Sequence, residues 1–401
     1  MTPCRLLVVA DVSPLEAHGG AARVIREQSR RLAARGHRVL VLCRHPGGTA
    51  PARGDIDGVP VVHYAVDRRN PLAFGVTSLT GARRRFRELG PLGWDAVIFH
   101  QPFSAAALAA EVPRAAARLY VFHSPAGAEY RVRAETLDGG RPPAGTALVA
   151  RLLGCLERRA LRAASAVVVL SEFSRQVLGR THGRLSAPVV TIPGAVDLGR
   201  FRPPADRPGV RRALGLPPDG VLLLTVRDLQ PRMGLDTLLR ALAVVRARYE
   251  VTCVVGGSGS LRPALERLAA DLGLGAAARF AGHIAEEALP AHYQAADLFV
   301  LPTRVLEGFG LVTVEALACG TPVVATPVGA TPEILAPLEP RLLAADNSPA
   351  ALAQAVAGAL PLGADPSFRR RCREHAEQGY AWERHILALE RALDSGSAAR
   401  P

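Results

Sequence analysis

The chain contains no lysine. Its 49 basic residues are all arginine, set against 36 acidic ones, for a formal net charge of +13. Aromatics make up only 5% of its 401 residues, and no apolar run approaches the ~18 residues a bilayer-spanning helix requires. The six cysteines (Cys4, Cys43, Cys155, Cys253, Cys319, Cys372) are scattered, with no Cys-x-x-Cys pair and no Cys/His cluster at metal-ligand spacing. Each shortage excludes a class of protein. Scattered cysteines argue against a disulfide scaffold or a structural zinc site and read as buried free thiols in a reducing compartment. "CRLLVVA" meets Asp11 at once, so it reads as a strand and not as a signal peptide. The expectation is a cytoplasmic protein. Few aromatics leave no stacking platform for a nucleic-acid strand. The arginines lie at helical spacing on polar faces, as in "RVIREQSRRLAARG", so the charge gives no case for a nucleic-acid partner. A general basic surface or an anionic small substrate accounts for it equally well.

What is present is a globular composition, 49% apolar and 21% charged, long enough for two or three domains. Strand and helix patterns alternate along it, twice. In the first half "RLLVVA", "RVLVLC", "AVIFH", "LYVFH" and "AVVVL" are β-rich runs, with a helical pattern from about Ala21 to Ala34. The second half restarts with "VLLLTV", a helical Gly234 to Arg248, "VTCVVG", a helix from about Leu261, "DLFVLP" and "PVVAT". Such alternation implies an α/β protein with parallel sheets covered by helices. "IPGAVDLGRFRPPADRPGV" is the Pro/Gly-rich linker, and the tail "SGSAARP" reads as disordered. The expected division is residues 1–198 and 199–379, with a last helix at about 380–397 packing back on the first domain. Two such units put a cleft between the C-terminal edges of their sheets, where open α/β sheets bind ligands.

One stretch carries chemistry: "LEGFGLVTVEALACGTP", Leu306 to Pro322. Glu307 and Glu315 stand eight positions apart on either side of Gly308, Phe309 and Gly310, and the segment runs into a helix stopped by Gly320. The amides near Gly310 and Leu311 fall at a helix N-terminus, which favours an anion such as phosphate. A carboxylate is acceptor-only and can take two hydroxyl donors, as a ribose diol offers. A phosphate flanked by two polyols is a nucleotide-sugar. A loop glutamate and a dipole-favourable glutamate early in a helix would give the same spacing.

The Glu-x7-Glu pattern resembles the signature of the retaining family-4 glycosyltransferases of the GT-B fold. Further segments resemble that family in order: "AHGGAARVIREQSRRLAARGHRV", "ERRALRAASAVVVLSEFSRQVL", "VVTIPGAVDLGRFRP", "VVGGSGSLRPALERLA", "RFAGHIAEEALPAHYQAADLFVLPT" and "YAWERHILALERAL". The resemblance implies two Rossmann-like domains with parallel sheets facing each other across a cleft. It implies a hexosyltransferase-type enzyme that is metal-independent, needs no cofactor and moves a sugar from a UDP- or GDP-sugar with retention. Glu315 would hold the ribose and Glu307 the transferred sugar, while the amides of Phe309, Gly310 and Leu311 face the diphosphate or sugar. In the first domain Gly19 and Gly20 match a loop near the phosphates and the acceptor, and His123 in "YVFHSPAGAEY" matches a histidine facing the donor sugar. The acceptor could be a small molecule such as an inositol-like cyclitol, a lipid or a glycan, which leaves peripheral membrane contact open.

One segment departs from the family. Where it has a phosphate-clamping Arg and Lys, "VRDLQPRMGLDTLL" has Asp228 and Met233, with Arg227 and Arg232 each one position earlier. Arg227 and Arg232 are the expected replacements, since a guanidinium binds phosphate bidentately. Asp228 would then be either their structural partner or a repulsive neighbour of the diphosphate. Two alternative readings stand beside a transferase: a nucleotide-sugar epimerase of similar fold, and a non-catalytic nucleotide-sugar-binding partner subunit. "DID" (Asp55 to Asp57) resembles a metal-binding Asp-x-Asp, yet Asp57-Gly58 is a turn signal between short strands. "GGSGS" reads as a phosphate or packing turn in preference to a dinucleotide site.

Overall fold

The computed structural model describes residues 2–15, 19–47, 51–90, 93–113, 115–134 and 142–398. The chain divides into two compact units. The first holds Met1–Arg131, Ala144–Pro193 and Glu383–Pro401; the second is chiefly Gly194–Trp382. The division falls at Pro193/Gly194, a few residues before the boundary set from the linker composition, because the linker's first half is bound into the second unit. Gly194 lies against the Phe309 ring, Val196 bridges to Ala381, and Phe201 packs edge-on against Tyr293.

The first unit is built on eight strands: β1 (Arg5–Ala10), β2 (Arg38–Arg44), β3 (Arg53–Ile56), β4 (Val59–Tyr64), β5 (Ala96–Phe99), β6 (Ala117–Phe122), β7 (Ala166–Val169) and β8 (Val189–Thr191). Their order is β3-β4-β2-β1-β5-β6-β7-β8. All pairs are parallel except β3 with β4. Central strands such as "LLVV" and "AVIF" are apolar on both faces because helices cover both, and their side chains are almost wholly buried. The β3–β4 hairpin turns through Asp57, at φ +49, and Gly58, with Asp55 accepting the Gly58 amide at 2.7 Å. "DID" is thus a hairpin turn, and Asp57 faces Arg30 at 3.7 Å.

The second unit has five parallel strands, β9 (Val221–Val226), β10 (Val251–Gly256), β11 (Ala278–Gly282), β12 (Leu298–Leu301) and β13 (Val323–Ala325), in the order β11-β10-β9-β12-β13. The chain winds one way from β9 through β10 to β11, then crosses back to place β12 on the other side of β9. That reversal is a topological switch point, where the loops leaving two neighbouring strands diverge and open a crevice. In the first sheet the same reversal falls between β1 and β5.

The glycines of "GGSGS" serve packing. Gly257 and Gly259 have φ +125 and +159, and a Cβ on either would lie 1.8 Å from the Arg227 carbonyl oxygen or 2.4 Å from that of Leu229. The loop after β10 therefore zips onto the loop after β9. At the chain end the helix Trp382–Ala398 continues through Ser395, whose hydroxyl donates to the Arg391 carbonyl. The tail expected to be disordered is helical as far as Ala398, since Ser and Ala extend a well-anchored helix at little cost. No helix among the described residues is long and apolar enough to cross a membrane.

Candidate functional site

The loops at the β9/β12 switch point converge on two side chains. Arg227 is the first residue past β9, and Glu307 lies in the loop after β12. The Arg227 Nη2 donates to Glu307 Oε2 at 2.6 Å, and both side chains are more than nine-tenths buried. The same nitrogen reaches Thr303 Oγ1 at 3.3 Å and the Met233 sulfur at 2.9 Å, while Thr303 Oγ1 donates to Glu307 Oε2 at 3.0 Å. Among the described residues the Arg227 Nε is buried without a partner. A buried guanidinium held to a buried carboxylate, with one face of its hydrogen bonding incomplete, is costly for a fold and common where a ligand completes it.

The backbone around Glu307 is held under constraint. Leu306 sits at φ +58, a left-handed conformation that a branched apolar residue rarely adopts. Its carbonyl accepts from Arg232 Nη1 at 3.1 Å. The Glu307 carbonyl accepts the Ala330 amide at 2.9 Å, and a Cβ at Gly329 would lie 2.0 Å from that oxygen. The segment "PVGATPEIL", Pro327 to Leu335, therefore serves as a buttress. Gly234, at φ +68, lets the loop after β9 approach Pro302, whose oxygen a Cβ would meet at 1.9 Å.

Past Glu307 the chain passes Gly308 and Phe309 and reaches Gly310, at φ +84, which starts the helix Leu311–Ala318. The Thr313 amide is taken up by the Gly310 carbonyl at 2.9 Å, and the Thr313 hydroxyl is buried without a partner. A side chain on Gly310 would stand 3.6 Å from the Glu307 carboxyl carbon. The Leu311 and Val312 amides, which precede that of Thr313, have no carbonyl one turn back to bond. The Phe309 ring is core, buried against Gly194 and edge-on to Tyr380 at 5.7 Å. Glu315, buried in the middle of the helix, accepts from the Tyr293 hydroxyl at 2.9 Å.

One expectation needs correction. Asp228 is exposed, and its carboxylate bonds neither Arg227 nor Arg232. The partner of Arg227 is Glu307, against which its side chain is buried, while Asp228 is exposed. In this structure the Arg227 Nη2 is bonded to the carboxylate expected to hold the sugar. Thr303 and Tyr293, which tie down Arg227, Glu307 and Glu315, were missed. Thr303 sits right after "DLFVLP", where a polar residue beyond a buried strand is the available signal.

In the first unit Gly19 has φ +96 and begins the helix Gly20–Ala34, with the Arg23 amide donating to its carbonyl. Residues 16–18 just before it lie outside those described. His123 directly follows β6, and His100 directly follows β5, its neighbour. His100 Nδ1 lies 3.1 Å from His123 Nε2. Burial pulls the His123 imidazole down to about 4 and that of His100 well below the usual histidine range, so both rings are neutral at pH 7. His100 was also missed, though "AVIFH" and "LYVFH" both end in Phe-His, a signal visible in the sequence.

Similarity to known proteins agrees with this geometry. Residues 18–200 match the Glycosyltransferase Family 4 description and residues 206–379 match Glycosyl transferases group 1. A D-inositol 3-phosphate glycosyltransferase of Acidothermus cellulolyticus is 31% identical over 416 residues, which cover 97% of this chain and 89% of the relative. The chain is a family-4 glycosyltransferase of the GT-B fold. It spans about half the length of several other relatives of the same name, among them one from Catenulispora acidiphila that is 39% identical over 240 residues covering 57% of this chain and 55% of its own. Among solved structures, sucrose-phosphate synthase from Thermosynechococcus elongatus superposes with a TM-score of 0.84 at 25% identity over 99% of this chain and all of that one. Anabaena HepE in complex with UDP-glucose superposes with a TM-score of 0.72 at 20% identity over 98% of this chain and all of that one.

Proposed function

We propose that this glycosyltransferase moves a hexose from a UDP-sugar to a phosphorylated cyclitol, with retention and without a metal ion. The observation that carries the reading is the cluster at the β9/β12 switch point, where buried Glu307 precedes and buried Glu315 lies within the helix Leu311–Ala318 that Gly310 starts. Glu315 takes the ribose hydroxyls, the amides following Gly310 take the diphosphate, and Glu307 takes hydroxyls of the transferred sugar. The UDP-glucose bound by the HepE neighbour supports the donor class, and the names of the relatives support the acceptor class.

In this reading the bond from the anomeric carbon to the diphosphate oxygen breaks while the acceptor oxygen bonds to the same face. The acceptor's proton passes to the departing diphosphate. Negative charge develops on the leaving group, so preorganised donors contribute most. The helix-end amides and the guanidinium of Arg232 provide them. Arg227 holds Glu307 in register for the sugar and adds a positive charge at the site.

The test is a donor and acceptor screen. UDP-glucose, UDP-N-acetylglucosamine and GDP-mannose are each incubated with D-inositol 3-phosphate, myo-inositol and a lipid extract, with products read by mass spectrometry and the new linkage by NMR. An α-linked glycosyl inositol phosphate from an α-linked UDP-sugar supports the reading. Product with inverted configuration, or donor hydrolysis with no acceptor preference, overturns it.

A further inference from the structure

His100 and His123 stand at the carboxyl ends of adjacent parallel strands, both preceded by phenylalanine. Their ring planes are inclined by only 26°, with centroids 5.4 Å apart and Nδ1 of one 3.1 Å from Nε2 of the other. The contact is an end-to-end hydrogen bond. Both rings are neutral at pH 7, so a single proton sits between the two nitrogens, and which ring owns it decides what His123 offers on its other side.

The surroundings decide the owner. His100 is 1% exposed, and its Nε2 has no partner among the described residues. Were the shared proton on His123, the neutral His100 would have to carry its own proton on that sealed Nε2, leaving a buried N–H without an acceptor. With the proton on His100 Nδ1, its Nε2 is a bare lone pair. Among backbone groups an orphaned buried N–H is rarer than an under-satisfied acceptor, and the same ranking is taken for the imidazole. His385 does not alter the balance. Its Nδ1–H donates to the Pro193 carbonyl at 2.6 Å, which makes its Nε2 the acceptor of the Gln28 amide at 2.8 Å and leaves the ring neutral.

We propose that His100 is a positioning residue that fixes the tautomer of His123: His100 Nδ1–H donates to His123 Nε2, and His123 therefore presents an Nδ1–H. No group among the described residues bonds His123 Nδ1, and the ring is only partly buried, so this donor is available to a substrate oxygen. In water the commoner histidine tautomer carries its proton on Nε2, so the arrangement inverts the default. The consequence for catalysis rests on the reading of His123 as a group that meets the substrate. Neutral and aimed through Nδ1–H, it donates a hydrogen bond to a sugar or acceptor oxygen and does not serve as a base.

The test is read without substrate. In protein labelled with 15N-histidine, a long-range 1H–15N correlation at pH 7.5 reports each ring's tautomer, with His123 assigned by the signals lost in His123→Gln. The expected wild-type result is a protonated Nδ1 and an unprotonated Nε2 on His123. In His100→Phe the His123 proton should move to Nε2; in His100→Asn, whose side-chain amide can replace the donor, it should stay on Nδ1. Turnover should fall about tenfold in His100→Phe with donor KM little changed, as for loss of one aligned hydrogen bond, and recover in His100→Asn. A wild-type His123 protonated on Nε2, or an unchanged tautomer in His100→Phe, overturns the proposal. Lack of transferase activity in any assay would overturn the functional reading and leave the tautomer assignment standing.

Discussion

Arg227 and Glu307 form a buried ion pair, 2.6 Å from Nη2 to Oε2, at the switch point of the second sheet. Removing one member leaves the other charged and out of water, at a cost of about 3–5 kcal/mol. Arg227→Met should therefore lower the unfolding free energy by about that much, and the double variant Arg227→Met with Glu307→Gln should recover most of it. Urea denaturation of the wild type, the two single variants and the double variant tests the coupling. Independent, additive losses would mean the pair is not held together in solution.

Glu315 should matter to the nucleotide. Glu315→Ala removes a charged acceptor, worth roughly 1.5–3 kcal/mol in a hydrogen bond, so UDP affinity should fall about tenfold or more. Tyr293→Phe removes only the hydroxyl that donates to Glu315 and should cost less. Glu307→Gln should spare UDP binding and reduce turnover, because its partner is the sugar. Calorimetry with UDP, beside initial rates at saturating donor, separates the two acids; equal losses of UDP affinity would refute their assignment.

The distribution of what was legible follows from which forces act locally. Strand and helix alternation is written in hydrophobic period, so the α/β class and the central strands could be read directly, whereas β8, β11 and the strand order could not. Gly257, Gly259, Gly329 and Gly234 were visible as glycines, but the carbonyl each one admits belongs to a distant segment. The same holds for the partners. Asp228 is next to Arg227 in sequence, whereas Glu307 is brought to it by the β9–β12 pairing. His100 pairs with His123 for the same reason, through β5 beside β6. The helical end of the tail was lost because Ser-Gly-Ser is a linker composition, and only the anchoring of the preceding turns keeps it wound.

Neutral histidines held wholly or partly out of water make the fold acid-sensitive. His123 and His385 are lowered to about 4 and His100 well below its usual range, burial being the first cause in each. Unfolding exposes them to an ordinary value of ~6.5, so the unfolded chain binds the extra protons. Their contribution is present above pH ~6.5 and is lost as pH falls towards 4, at up to about 1.4 kcal/mol per pH unit for each ring. Glu157, raised by burial, acts in the opposite direction. Urea midpoints between pH 7 and 4.5 should fall steeply, and His385→Gln should flatten the slope. A flat wild-type profile would show that these rings are solvated.

Chelation should leave turnover intact. The leaving diphosphate is proposed to be neutralised by helix-end amides and Arg232, with Arg227 adding its charge nearby. Rates measured before and after EDTA should agree within error, and Arg232→Ala should reduce them about tenfold, as for loss of one charged hydrogen bond. Activity abolished by EDTA and restored by magnesium or manganese would show that the side chains are insufficient.

Asp228 poses the last question. It is exposed and bonds neither arginine, so it is not the structural partner the sequence left open. Asp228→Ala should be nearly neutral for stability, within about 0.5 kcal/mol, as for a surface change away from any network. Its effect should instead appear in binding. A carboxylate about 8 Å from a diphosphate charge repels it by roughly 2 kcal/mol at an effective dielectric of ~20, and exposure reduces that severalfold. UDP affinity should therefore rise modestly in Asp228→Ala and further in Asp228→Arg, and the gain should shrink as salt is added. Calorimetry at low and high ionic strength reads both. A loss of affinity in Asp228→Ala would mean that the carboxylate contributes to the site when the nucleotide is bound, and that the loop after β9 rearranges to bring it there.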